Sequence, residues 1–126
     1  MRLKNDVRLT DVTPQVAIGL QVCDSIYDST AEFCTFTGDD KWDFTMVVTS
    51  INDGRHGKTS WHYRGRAWDL RVHNISNPME VYEAIKTDLG EDFDVLLEGL
   101  GTDNAHIHCE YDPEVDIMDQ KEFWVG

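Results

Sequence analysis

Arg66-Ala67-Trp68-Asp69-Leu70-Arg71-Val72-His73 alternates apolar and polar side chains with a period of two. A β-strand points successive side chains to opposite faces, so Trp68, Leu70 and Val72 fall on one side and Ala67, Asp69, Arg71 and His73 on the other. The first set can enter a core while the second stays reachable from solvent. Ala105-His106-Ile107-His108-Cys109-Glu110-Tyr111 repeats the pattern, with His106, His108 and Glu110 on one face.

Outward from these two segments, Phe44-Thr-Met-Val-Val-Thr-Ser-Ile51 is β-branched and apolar, and predicts a buried strand closed by a turn at Asn52-Asp53-Gly54. Phe93-Asp-Val-Leu-Leu-Glu98 predicts another strand, with Gly99 to Asn104 as the turn into the His106 segment. Thr13-Pro14 reads as an N-cap followed by proline at the first helical position, opening a helix over 14–28. Its core stripe is Val16, Leu20, Cys23 and Tyr27, widened by Ile18, Val22 and Ile26; Gly19 weakens it. Ser76-Asn77-Pro78 opens a second helix, which runs to about Asp88 and stops at Gly90. Residues 29–43 predict a loop turning at Gly38-Asp39-Asp40, and the tail from Asp112-Pro113 to Gly126 folds back over the core. The element order predicts one α+β domain over residues 1–126, a small, mainly antiparallel sheet of about four strands with two main helices.

Composition narrows the function classes. Twenty-four acidic against eleven basic residues leave a net charge of −13, which would repel the phosphates of nucleic acid. No apolar run is long enough for a membrane span. The charged start Met1-Arg-Leu-Lys-Asn-Asp-Val-Arg8 lacks the apolar stretch of a signal peptide, so synthesis in the cytoplasm is expected. Cys23, Cys34 and Cys109 have no C-x-x-C spacing and leave an odd thiol, which points to free thiols in a reducing compartment. Cys109 adjoins His108 but faces the other side of its strand.

The polar, glycine-bearing stretch from Arg55 to Gly65 reads as a loop that carries function. It ends in His62-Tyr-Arg-Gly-Arg-Ala-Trp-Asp69. His62, Asp69 and His108 offer two imidazoles and one carboxylate from separate pieces of backbone. A structural zinc site closes with four Cys/His ligands, whereas a catalytic one takes three protein ligands and leaves a place for water. Two histidines and an aspartate fit the second description and point to a zinc hydrolase. Gly65 lets the loop turn, and Ala67 leaves room beside the metal.

The same eight residues match the H-x-x-G-x-A-x-D motif of the zinc D-Ala-D-Ala peptidases, a family that includes phage L-Ala-D-Glu endopeptidase lysins. Its four fixed positions arise by chance in a chain of this length on the order of once in a thousand. His62-Tyr-x-Gly-Arg-Ala-x-Asp69, His56 six residues before His62, and Ala105-His-Ile-His-Cys109 also resemble the hedgehog signalling domain, which shares that fold. The likeness covers roughly residues 44–112.

The resemblance implies that His62, Asp69 and His108 bind Zn²⁺ and that Glu98 is the catalytic acid/base. It implies that His56 and His106 are non-ligand histidines lining the cleft. Glu98 stands ten residues before His108, farther than in the peptidases though not than in hedgehog domains. Glu110 and Asp103 are rival candidates for its role, and Glu110 could instead orient His108. Arg55 could grip a substrate carboxylate or be a solvated loop residue. Ser60 could steer substrate or hold its loop. His73 reads as an ordinary surface hydrogen-bonder, and Trp61 and Trp68 as core aromatics.

The implied activity is hydrolysis of peptidoglycan stem peptides, by a lysin freed at lysis or a peptidase carried on phage particle proteins. The alternatives are a non-catalytic zinc-binding interaction module of the hedgehog kind and a phage structural component.

Overall fold

Thr13 has extended backbone, and its Oγ1 accepts the Val16 N–H at 3.3 Å, which starts helix α1 (Pro14–Thr30). Pro14 fills the first helical position, where its missing N–H costs nothing. The computed structural model describes residues 1–9, 12–32, 45–52 and 66–113. The turn expected at Gly38-Asp39-Asp40, the strand start at Phe44, the loop from Arg55 to Gly65 and the tail from residue 114 lie outside the described residues.

One face of α1 is buried through Val16, Leu20, Cys23, Ile26 and Tyr27. Ile18 does not widen that stripe and is 61% exposed. Two residues of helix turn about 200°, which carries it to the far side from Val16. Gly19 sits in the buried stripe because a Cβ there would overlap the six-membered ring of Trp68. The absent side chain, a cost to the helix alone, lets α1 settle onto the strand that carries Trp68.

The second helix, α2 (Pro78–Leu89), buries Val81 and Ile85 in the same core and ends at Gly90, whose φ is 82°. Asn77 precedes it but makes no side-chain cap. Its amide instead clamps the end of α1: Oδ1 accepts the Glu32 N–H at 2.8 Å and Nδ2 donates to the Thr30 carbonyl at 2.8 Å.

The strands are β1 (Arg2–Leu3), β2 (Val47–Asn52), β3 (Ala67–Arg71), β4 (Phe93–Glu98) and β5 (His106–Tyr111). They form one mixed sheet in the order β1-β2-β3-β5-β4, parallel only between β1 and β2. The expected four strands become five because β1, two residues long, is too short to show a period.

The core joins the helices to Val48, Trp68, Leu70, Val95, Ile107 and Cys109 from the sheet. Tyr27 ties the layers together, donating its hydroxyl to the Arg71 carbonyl at 2.7 Å. Burial of that phenol pushes its pKa up, so the donor stays protonated.

A bulge at Thr49 interrupts β2. Val48 pairs with Leu70, but Ser50 pairs with Asp69, so two residues of β2 advance against one of β3. The extra residue reverses the facing of β2 beyond it. Val48 and Ile51 both pack toward the core, and Ser50 lies beside Asp69 on the opposite face.

Gly19→Ala tests the helix–sheet contact. The gain of about 1 kcal/mol in helix propensity is outweighed by overpacking, which typically costs about 1–3 kcal/mol. A lower midpoint of urea unfolding is expected; a midpoint at or above that of the parent would show that Trp68 has room to move.

Candidate functional site

The face of the sheet away from the helices carries three rows of side chains set by register. Arg71, His106 and Glu98 form one row across β3, β5 and β4; Asp69, His108 and Leu96 form the next; Ala67, Glu110 and Asp94 form the third. Their neighbours along each strand point inward, which is why Trp68, Leu70, Ile107 and Cys109 are buried. The period-two expectation for both segments holds residue by residue. Trp68 is a core aromatic as expected, and Cys23 and Cys109 are buried free thiols.

Asp69 and His108 meet directly. His108 Nδ1 donates to Asp69 Oδ1 at 2.7 Å, and its Nε2 donates to Glu110 Oε1 at 3.2 Å. Both ring nitrogens face carboxylates, so the imidazole holds both protons. The hydrogen bond to Asp69 is the main cause that pushes the His108 pKa up to about 9; burial works against it and Glu110 adds to it. The His108 side chain is 28% exposed, which leaves one side of the pair open to solvent.

One row along, His106 and Glu98 form a second pair. His106 Nδ1 donates to the Asn104 carbonyl at 2.8 Å, and Nε2 meets Glu98 Oε1 at 3.1 Å. A carbonyl can only accept, so Nδ1 carries a hydrogen. The turn before β5 sets this geometry. Gly99 and Gly101 take positive φ, and Thr102 Oγ1 donates to the Gly99 carbonyl at 2.6 Å while accepting the Asn104 N–H at 3.1 Å.

The two expected glutamates are thus sorted by contact: Glu98 is held by His106, and Glu110 is held by His108. Asp103 lies in the turn and lines the adjoining cleft. That cleft, of about 370 Å³, runs over β2, β3 and the start of β5, lined by Lys4, Ser50, Asp69, Arg71, His73 and His106 among others. His106 and His73 both line it. Lys4, Ser50 and Arg71 were not singled out in the sequence. For Arg71 the signal was present, since the two-residue period puts it on the face of Asp69. For Ser50 it was not, because an unbulged strand would turn Ser50 to the face of Val48.

Of the expected zinc ligands, Asp69 and His108 adjoin; His62 lies outside the described residues, as do His56, Arg55 and Ser60. Among the described residues no group of three His, Cys, Asp or Glu is placed to hold a metal. The donors that are described, an imidazole nitrogen and a carboxylate oxygen on an open face, suit a zinc ligand set that a third residue would complete. Comparison of the chain with protein-family models, with curated proteins and with solved structures found no significant match.

A metal at His108 must displace a proton from the imidazole. Apparent zinc affinity is therefore expected to rise about tenfold per pH unit below the His108 pKa. Competition titrations between pH 6.5 and 8.5 check this, and an affinity flat across that range would remove His108 from the ligand set. In metal-free protein the sign runs the other way. The raised pKa gives stability that is present in full below the unfolded value of 6.5 and lost as pH rises through about 9.

Proposed function

We propose that the chain is a zinc-dependent peptidase that hydrolyses peptide bonds of peptidoglycan stem peptides. The observation that carries the reading is the direct pairing of Asp69 with His108 across β3 and β5, with Glu98 held by His106 one row away. The sequence supports it with the H-x-x-G-x-A-x-D motif ending at Asp69. The substrate class rests on the resemblance to zinc D-Ala-D-Ala peptidases and phage endopeptidases.

His62, Asp69 and His108 would hold the ion. When bound, zinc supplies Lewis acidity, polarising a carbonyl and acidifying water toward neutral pH. Glu98 is the general base: its carboxylate, half exposed, takes the proton of the attacking water and returns it to the leaving amine. His106 keeps Glu98 in place, being itself fixed by the Asn104 carbonyl. Glu110 holds the His108 ring in one orientation from the other side. Asp69 would neutralise part of the ion's charge.

No helix among the described residues is long and apolar enough to cross a membrane. We place the enzyme's action on the cell wall, after release by lysis machinery or carriage in a phage particle.

Incubation of zinc-loaded protein with purified muropeptides, followed by mass spectrometry, should show chelator-sensitive cleavage. Glu98→Gln should retain zinc and lose on the order of a hundred- to ten-thousandfold in turnover. His62→Ala should lower both zinc content and melting temperature, because metal binding is linked to folding. Intact muropeptides with fully loaded protein would reject the peptidase and favour a zinc-dependent interaction module.

A further inference from the structure

We infer that Cys23 and Cys109 are a disulfide-forming pair, a redox-operated staple that joins α1 to β5 through the core when the chain meets a small disulfide oxidant. The pair lies on the face of β5 opposite His108, outside the cleft and apart from the proposed hydrolysis.

Helix and sheet bring the two thiols together row by row. Gly19 rests on the six-membered ring of Trp68, so close that a Cβ would overlap it. Cys23 follows Gly19 by about one helical turn on the same buried face, about 6 Å along the axis. Cys109 is the cross-strand partner of Trp68, about 5 Å away across the sheet. The step from Gly19 to Cys23 on the helix is thus of the same size as the step from Trp68 to Cys109 on the sheet. The thiols meet there, and Cys109 shares a hydrogen bond with Cys23. Tyr27, one further turn along α1, continues the row with its hydroxyl on the Arg71 carbonyl.

A disulfide demands close backbone approach, with Cα atoms about 4.4–6.8 Å apart. Gly19 brings α1 down toward that range, since any side chain there would lift the helix off Trp68. Bond formation shortens the sulfur–sulfur separation to about 2 Å, a change that rotation about the two Cα–Cβ bonds and a small settling of α1 supply. Both cysteines are 0% exposed. An oxidant therefore reaches them only when α1 lifts locally, and a reductant meets the same barrier once the bond is made.

The oxidant is a small disulfide of the glutathione type. One protein thiolate attacks it, the glutathione S–S bond breaks, and one glutathione leaves as thiolate. The second protein thiolate attacks the mixed disulfide and expels the other glutathione. The two protein thiols are oxidised to one disulfide, the glutathione disulfide is reduced to two thiols, and the two thiol protons end on the departing glutathiones. The new bond joins residues 23 and 109 and closes most of the chain into one loop. A cross-link over so long a loop removes many conformations from the unfolded chain, so the oxidised protein is the more stable form.

The test equilibrates the full chain with reduced and oxidised glutathione at a series of ratios, in urea below the unfolding midpoint so that α1 can open. Free thiols are then alkylated in denaturant, and a non-reducing digest is mapped by mass spectrometry. A peptide linking Cys23 to Cys109, two hydrogens lighter than its two halves, is expected at the oxidising ratios. The melting temperature should rise by about 10 °C with it, and dithiothreitol should reverse both changes. Cys34→Ser should leave both results in place, and Cys109→Ala should abolish them. Thiols at 23 and 109 that are alkylated at every ratio would overturn the staple and leave the pair as ordinary core packing. A bond from either cysteine to Cys34 as the main product would overturn it too, as would a Cys23–Cys109 link that lowers the melting temperature.

Discussion

The register of β3 against β5 is the constraint on which the rest depends. Asp69 stands opposite His108, and on the reverse side Trp68 stands opposite Cys109 and Leu70 opposite Ile107. Because side chains alternate, a slip of β3 by one residue would bury Asp69 and Arg71 and expose Trp68 and Leu70. Burying a large apolar side chain contributes about 1.5–3 kcal/mol, and burying an unpaired charge costs more than that. The hydrophobic layer thereby dictates the register, and the register brings the polar pair together.

The helices act on the site only through that layer. Gly19 lets α1 reach Trp68, Tyr27 pins the end of β3 at Arg71, and Asn77 locks the start of α2 to the end of α1. None of these residues faces the cleft. They hold β3 flat against the core so that its other side presents Asp69 and Arg71 at a fixed spacing. The polar contacts on the open face then settle finer matters: which carboxylate holds which histidine, and where the protons lie.

Much of this was legible in the sequence because alternation and capping are local signals. Residues 66–73 and 105–111 sorted themselves into two faces, and Thr13-Pro14 and Gly90 marked helix ends. Three features left no such trace. β1 is two residues long and exists through pairing with β2. The bulge at Thr49 arises between strands, and nothing in Thr-Ser-Ile announces it. Ile18 has the composition of a core residue and the helical angle of a surface one. The pairing of Glu98 with His106 was hidden for a different reason: it depends on the turn built by Gly99, Gly101 and Thr102, whose hydrogen bonds set the last pair of the hairpin.

That hairpin has a kinetic corollary. Glu98 and His106 are separated by 8 positions in the chain, Asp69 and His108 by 39. Closing the longer loop costs about 1.4 kcal/mol more entropy by the logarithmic length rule. The short loop can zip on the microsecond scale of an isolated turn, whereas the distant couple must await the arrival of β3. Assembly is therefore sequential: one half of the polar surface comes ready-made with a local fold, and the other is conferred only when the whole sheet has closed.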